Sequence, residues 1–423
     1  MSPLLQGVSM LELSDDAVHY PVPDHVPAEL VYPFEQIYAK GFDIDPWTVF
    51  RQVQAEAPPI FYSPTCRRGS GIWYVTTSED VRTVFQDHSR FTTSMNYSAG
   101  MQMARRMLPL ELDPPDHNKY RSLLTPLFAP KSIDRLEASI RATCDALLDA
   151  IIDRGECDFV TDFARTLPGT VFMELMGLPM DRRDEFFAWE ETFFHGGTAE
   201  ERAATGKAIE AALADLVEQR RAAPREDLVS MLVHGRFEDG TPIPTDDVMD
   251  MCWLLFLAGL DTVHAGLGHA FRYLAEHPEK RRELVADPSL VPAAVEELLR
   301  WHSWVNPART VRVDCELNGV VMKRGEKIGT LAVLADRDPS AYESPEDVDL
   351  HRNKVPHWAF GGGPHRCVGS HLARRELGIA ISAWIERIPD FEIPPDQVGT
   401  LRYATAGMFS LQRLPLSWSA TPS

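Results

Sequence analysis

The sequence predicts a mainly α-helical protein with small β-sheets, on three observations. From Ile133 to Arg221 apolar residues recur at helical spacing with few breakers. A second helical pattern, DDVMDMCWLLFLAGLDTVHAGLGHAFRYL, runs as one helix from Asp246 to Leu274 and is apolar on nearly every side of its middle, which predicts burial. Strand-like runs are short by comparison: IFYS and IWYVTT, separated by a turn holding Gly69 and Gly71.

The chain has 423 residues, 44% of them hydrophobic, enough for a large core. Length alone would allow two or three domains of ~150 residues. The motifs described below are spread from His117 to Cys367 and must converge, so residues 25–423 are read as a single domain behind a loosely held arm over residues 1–24. The formal net charge of −20 argues against non-specific nucleic-acid binding and for a soluble protein. No apolar run near ~18 residues is evident, so no membrane span is expected. The opening MSPLLQGVSMLELSDDAVHY lacks the basic stretch and sustained apolar core of a secretory signal. Cysteines 66, 144, 157, 252, 315 and 367 are scattered without a CxxC, which fits free thiols in a reducing cytoplasm.

In chain order, Asp45 to Ala57 reads as a short helix opened by Asp-Pro, and Ser78 as the N-cap of the next. Phe91 to Leu112 reads as a long loop carrying Met95, Met101, Met103 and Met107; these either line an apolar site or fill ordinary core gaps. Asp113-Pro-Pro-Asp-His117 reads as a helix start with prolines in its first turn, and His117 and Arg121 share a face of that helix. The cluster Phe186, Phe187, Trp189, Phe193 and Phe194, before His195-Gly196-Gly197, reads equally as core packing or as the wall of a site. In the middle of the long helix, Gly259, Asp261 and Thr262 interrupt the apolar stretch. A buried Asp-Thr pair is costly unless satisfied. It is met either by a salt bridge with a threonine back-bond, or by a local opening in which Thr262 bonds a backbone carbonyl and water enters. Glu297-Leu-Leu-Arg300 places two charges on one face of the helix Pro292 to Trp301, a pattern that is ordinarily a solvated pair. Asp336 to Trp358 reads as an irregular, proline-dotted segment.

The last motif is Phe360-Gly-Gly-Gly-Pro-His-Arg-Cys367-Val-Gly369, just before a helix reading SHLARRELGIAISAWIERI. The glycines from Gly361 permit a tight turn and close approach to a bulky group. Cys367, near a helix N-terminus and beside Arg366, is placed to favour thiolate. It is either an inert buried thiol or a ligand to a flat macrocycle. A zinc or copper site of His365, Cys367 and His371 is a competing reading; it leaves Asp261-Thr262 and Glu297-Leu-Leu-Arg300 unexplained.

This loop resembles the haem-ligand loop of the cytochrome P-450 family, whose Phe-x-x-Gly-x-x-x-Cys-x-Gly pattern is filled by Phe360, Gly363, Cys367 and Gly369. Ala258-Gly-Leu-Asp-Thr262 is similar to the family's oxygen-activation motif, and Glu297 with Arg300 to its Glu-x-x-Arg core lock. The resemblance implies the helix-rich fold of that family. It implies haem b with Cys367 as axial ligand, Phe360 and Gly361 against the haem, and His117, Arg121, Arg309 and His365 at its propionates. It implies Asp261 and Thr262 as the proton-delivering pair, and two lid helices around the aromatic cluster. The partners implied are O2 and a [2Fe–2S] ferredoxin with its NAD(P)H-dependent reductase. The ferredoxin would dock near Lys119, Arg121, Arg366, Arg374 and Arg375. Alternatives within this likeness are a haem-thiolate sensor without turnover and a peroxide-driven peroxygenase; both leave Asp261-Thr262 without a purpose.

Within the family, HVPAELV, LDPPD, MCWLLFLAGLDTV, AAVEELLR, HLARRE, IPDFEIPP and LPLSW are similar to the bacterial camphor-hydroxylating subfamily. That match implies a pocket of Met101, Met103, Met107, Leu254, Leu257, Val305 and Met408. The chain departs from it in three ways: MQMARRMLP lacks the subfamily's tyrosine, Pro307 replaces an aspartate, and His117 replaces a glutamine. A small apolar substrate, terpenoid or ionone-like and other than camphor, is the expectation.

Overall fold

Helix Pro46–Glu56 begins where expected, with Asp45 Oδ1 accepting from the N–H of Trp47 at 3.1 Å and Thr48 at 3.4 Å. The structure is a computed structural model and describes residues 11–419 apart from 67–68, 95–104, 195, 353–355 and 406–407. Met101 and Met103 therefore lie outside the described residues. Residues 11–24, expected to be a loosely held arm, carry backbone bridges Leu13–Ala39 and His19–Thr65 that tie them to the body.

The main sheet has five strands in the order Ile60–Ser63, Ile72–Val75, Lys327–Thr330, Ala308–Val311, Phe91–Thr92. Ile72–Val75 and Lys327–Thr330 pair in parallel, and the other neighbours are antiparallel. The first two strands are buried at every position, which explains their unbroken apolar runs. The larger core lies among helices. Phe271 stacks on Phe159 with centroids 4.1 Å apart, and Trp384 packs edge-on against both.

Three local expectations shift. Thr77, not Ser78, caps the helix Ser78–Gln86; Ser78 Oγ instead accepts from the indole of Trp358 at 2.8 Å. Pro114 and Pro115 precede the helix Asp116–Leu124 and are not in its first turn. The single long helix is two, Thr245–Leu260 and Thr262–Glu276, broken at Asp261. The segment Thr245–Glu276 also has an apolar window long enough by length and composition to cross a membrane, contrary to the expectation above. Of that window 78% is buried within the protein, as suits a core helix. A capping box of Thr198 and Glu201 opens the helix Ala199–Ala222.

Glu297 and Arg300 are not a solvated pair. On the helix Val291–His302 they are 4% and 1% exposed and joined by two bonds of 2.8 and 2.9 Å. Arg300 also donates to the carbonyls of Asp336, Pro345 and Asp347, while Arg352 donates to Glu297 at 2.9 Å. Burial opposes ionisation of Glu297, but these bonds hold its carboxyl below the usual range. Its stabilising contribution is therefore present above the ordinary carboxylate pKa and fades as pH falls through the depressed one. We expect Arg300→Ala to lower unfolding free energy by about 3–5 kcal/mol, measured by urea denaturation. A loss below about 1 kcal/mol, as for a surface pair, would refute this reading.

Candidate functional site

The cysteine loop is held from both sides. Asp336, 0% exposed, accepts the N–H of Trp358 through both carboxylate oxygens at 2.9 and 3.0 Å, and bonds Ser303 and Tyr342. Burial pushes its carboxyl up to about 6. Gly361 N–H donates to Trp358 O at 2.7 Å, and Cys367 N–H to Phe360 O at 2.9 Å, which closes the loop on itself. Gly361 and Gly363 have φ of +62° and +63°, and a Cβ on Gly363 would lie 2.3 Å from the carbonyl of Phe85. Arg374 covers the Phe360 ring at 4.5 Å.

Among the six cysteines, Cys367 alone is exposed; Cys66, Cys144, Cys157 and Cys252 are buried. Its sulfur lies deep in the fold yet borders accessible space. That depth pushes the thiol above its ordinary pKa, against the pull of the Gly369 N–H and of Arg121, Arg366 and Arg374. The helix-start argument for a free thiolate is thus outweighed by burial. A coordinated metal ion reverses that balance, since a ligating thiol is deprotonated outright.

A basic corner adjoins the loop. His117 is 1% exposed, and its ring lies 4.4 Å from that of His365. His365 also bonds Thr93 Oγ1 at 3.1 Å. Arg121 donates to Arg366 O at 2.6 Å, and Arg309, 5% exposed, stands over the Phe85 ring. Burial, then Arg309, His117 and Arg121, push His365 down to about 3. His117 Nε2 is buried with no hydrogen-bond partner among the described residues. Such a corner is suited to carboxylates. The accessible thiol, the glycine cradle and this corner together fit haem.

The helix break supplies the other wall. Thr262 Oγ1 donates to Ala258 O at 3.1 Å, and Trp304 Nε1 donates to Thr262 O at 3.1 Å. From Val248 to Phe271 every residue is buried except Leu254, Ala258, Gly259 and Thr262. Leu254, Ala258 and Thr262 are four residues apart and share one face, which is the accessible side of this helix pair. Val305 and Met408 are likewise half-buried. Leu257 and Met107, 6% and 4% exposed, belong to the core cluster and not to the accessible face.

Sequence reasoning missed several residues. Asp261 Oδ1 lies 3.0 Å from His264 Nδ1, a contact legible from i,i+3 spacing. Asn306 buries both amide atoms with no hydrogen-bond partner among the described residues. Arg105 and Arg106 both donate to Asp250, each at 2.9 Å, and Arg105 also to Glu210 at 2.8 Å. The expected basic docking patch is largely neutralised: Arg374 pairs with Glu296, Arg375 with Asp134 and Glu137, and Lys119 lies over the Phe237 ring. Burial opposes it, yet His357 and Arg374 hold Glu296 down to about 2. No group of three His, Cys, Asp or Glu residues suited to a metal ion occurs among the described residues, which sets aside the zinc or copper reading.

Comparison with known proteins shows the family. The family described as Cytochrome P450 matches residues 185–419. A protein named "Probable cytochrome P450 127A1" from Sinorhizobium fredii is 36% identical, over 94% of this chain and 97% of that protein. A steroid C26-monooxygenase of Mycobacterium tuberculosis is 33% identical, over 79% of this chain and 93% of that protein. The crystal structure of CYP101C1 superposes with a TM-score of 0.85 at 30% identity, covering 95% of this chain and all of that one; CYP101J2 gives 0.84 at 31%, covering 94% and 99%. The chain belongs to the cytochrome P450 family of monooxygenases, whose cofactor is haem b.

Proposed function

We propose that this P450 hydroxylates a small, mainly apolar molecule of terpenoid or ionone-like shape, using O2 and electrons from a [2Fe–2S] ferredoxin and its NAD(P)H-dependent reductase. The carrying observation is the accessible face Leu254–Ala258–Thr262 within Val248 to Phe271, where Gly259 is the one other residue that is not buried. Cys367 is the proposed iron ligand, with Phe360 and Gly361 against the ring and His117, Arg121, Arg309 and His365 at its propionates. When bound, haem supplies oxygen activation and C–H hydroxylation. The protein's own part is binding, orientation and proton supply. Thr262 spends its hydroxyl hydrogen on Ala258 O, so its oxygen still accepts a hydrogen bond. Asp261 is the titratable neighbour that replenishes protons. Leu254, Val305 and Met408 offer apolar surface, and the lack of a tyrosine in the stretch MQMARRMLP removes about 0.5–1.5 kcal/mol of hydrogen bonding to a ketone.

Six unpaired cysteines support a cytoplasmic enzyme, and the meeting of His117, Arg309 and His365 supports one domain over residues 25–423. Arg366 remains for ferredoxin docking, as its exposed side chain lies beside the cysteine.

Three outcomes follow. Cys367→Ala should abolish the red-shifted band of the reduced carbon monoxide complex; a retained band would refute the ligand assignment. Thr262→Ala should bind ligand and consume NAD(P)H yet release hydrogen peroxide in place of product, and Asp261→Asn should slow turnover by about 10²-fold or more; full product yield in Thr262→Ala would contradict the relay. In a titration read by haem spin state, ionones and monoterpenes should bind tighter than camphor, and the reverse order would overturn the substrate reading.

A further inference from the structure

We propose that His264 is the inner source of protons for Asp261, an inference that rests on Asp261 and Thr262 being the proton-delivering pair. His264 follows Asp261 by three residues on the helix Thr262–Glu276 and is 6% exposed. Its Nδ1 lies 3.0 Å from Asp261 Oδ1. Nδ1 is assigned as the donor to the Asp261 carboxylate, which leaves Nε2 presenting a lone pair. Nε2 is buried with no hydrogen-bond partner among the described residues.

Two observations therefore meet in one ring: a contact with the relay acid on one nitrogen, and a buried nitrogen without a hydrogen-bond partner among the described residues on the other. A buried acceptor left unmade is destabilising, and a water molecule is the common remedy. Imidazole so placed conducts a proton. Nε2 takes one from that water while Nδ1 gives its own to Asp261. The water loses one proton and regains one from solvent, Asp261 gains one and the ring stays neutral. Exchange with water restores the first tautomer. His264 acts through Asp261 and positions it as well, since the bond fixes one carboxylate oxygen along the helix axis.

The test uses holoenzyme uniformly labelled with 15N-histidine, in its reduced carbon monoxide form, with His264 assigned by the signal that His264→Gln loses. The expected spectrum is the Nδ1–H tautomer with Nε2 unprotonated, altered in Asp261→Asn. A ring protonated at Nε2 alone would overturn the proposal. In parallel, dioxygen consumption by ligand-free enzyme is followed with a surrogate [2Fe–2S] ferredoxin and reductase in H2O and D2O. His264→Gln, which can still donate to Asp261 but cannot conduct, should slow it about tenfold and raise the solvent isotope effect, short of the 10²-fold or more for a lost proton donor. Wild-type behaviour of His264→Gln beside a slow Asp261→Asn refutes the role of His264 alone. Wild-type behaviour of Asp261→Asn refutes the underlying relay. Should His264→Gln fail to fold, His264→Asn supplies the assignment and the kinetics.

Discussion

The buried contact between Glu297 and Arg300 is the constraint on which the rest of this structure depends. Two opposite charges are withdrawn from water, which is tolerable only if every remaining donor and acceptor is met. Here they are met by the irregular chain from Asp336 to Arg352: its carbonyls take Arg300, and its Asp349 N–H and Arg352 take Glu297. A segment with little regular structure thus gains a fixed path. That path ends at Trp358, where Asp336 receives the backbone and Ser78 the indole. The cysteine loop follows immediately. The position of Cys367 is in this sense set by an ion pair on a different helix.

The site gathers groups that repel one another. His117, His365, Arg121 and Arg309 come from a helix, a loop and a sheet strand, and all are basic. Burial first, and then the neighbouring cations, suppress protonation of His117 and His365. An anionic ligand group relieves that repulsion. The same holds for the cysteine, whose burial disfavours charge until a cation shares it. Corner and thiol are thus electrostatically incomplete in opposite senses, and a cofactor with carboxylates and a metal ion answers both.

Local features were legible in the sequence because local chemistry determines them. The cap at Asp45 and the glycine loop at Phe360 both read correctly. The polar interruption at Asp261-Thr262 pointed to a disturbed ladder, although not to a full break. What the sequence left hidden was tertiary. Arg374 and Arg375 looked like free cations because Glu296, Asp134 and Glu137 are 78, 241 and 238 residues away in sequence. Leu254 and Leu257 look alike in a run of apolar residues, and only packing turns one toward accessible space and the other into the core. Glu297-Leu-Leu-Arg300 reads as an ordinary pair until its depth is seen.

The clamp of Arg105 and Arg106 on Asp250 is a seam of ions over an apolar core. It joins the chain just before Leu108 to the helices Ala199–Ala222 and Thr245–Leu260 through ions, not through interdigitated hydrocarbon. Separating apolar surfaces exposes oil to water at about 25 cal/mol per Å². Separating ions exposes groups that water solvates well, and Arg106, already 58% exposed, is half-way there. A threshold built this way parts without unsealing the hydrocarbon interior beneath it. The hydrocarbon interior is thereby closed by a hydrophilic seam, whose loosening by water is decoupled from the integrity of the core.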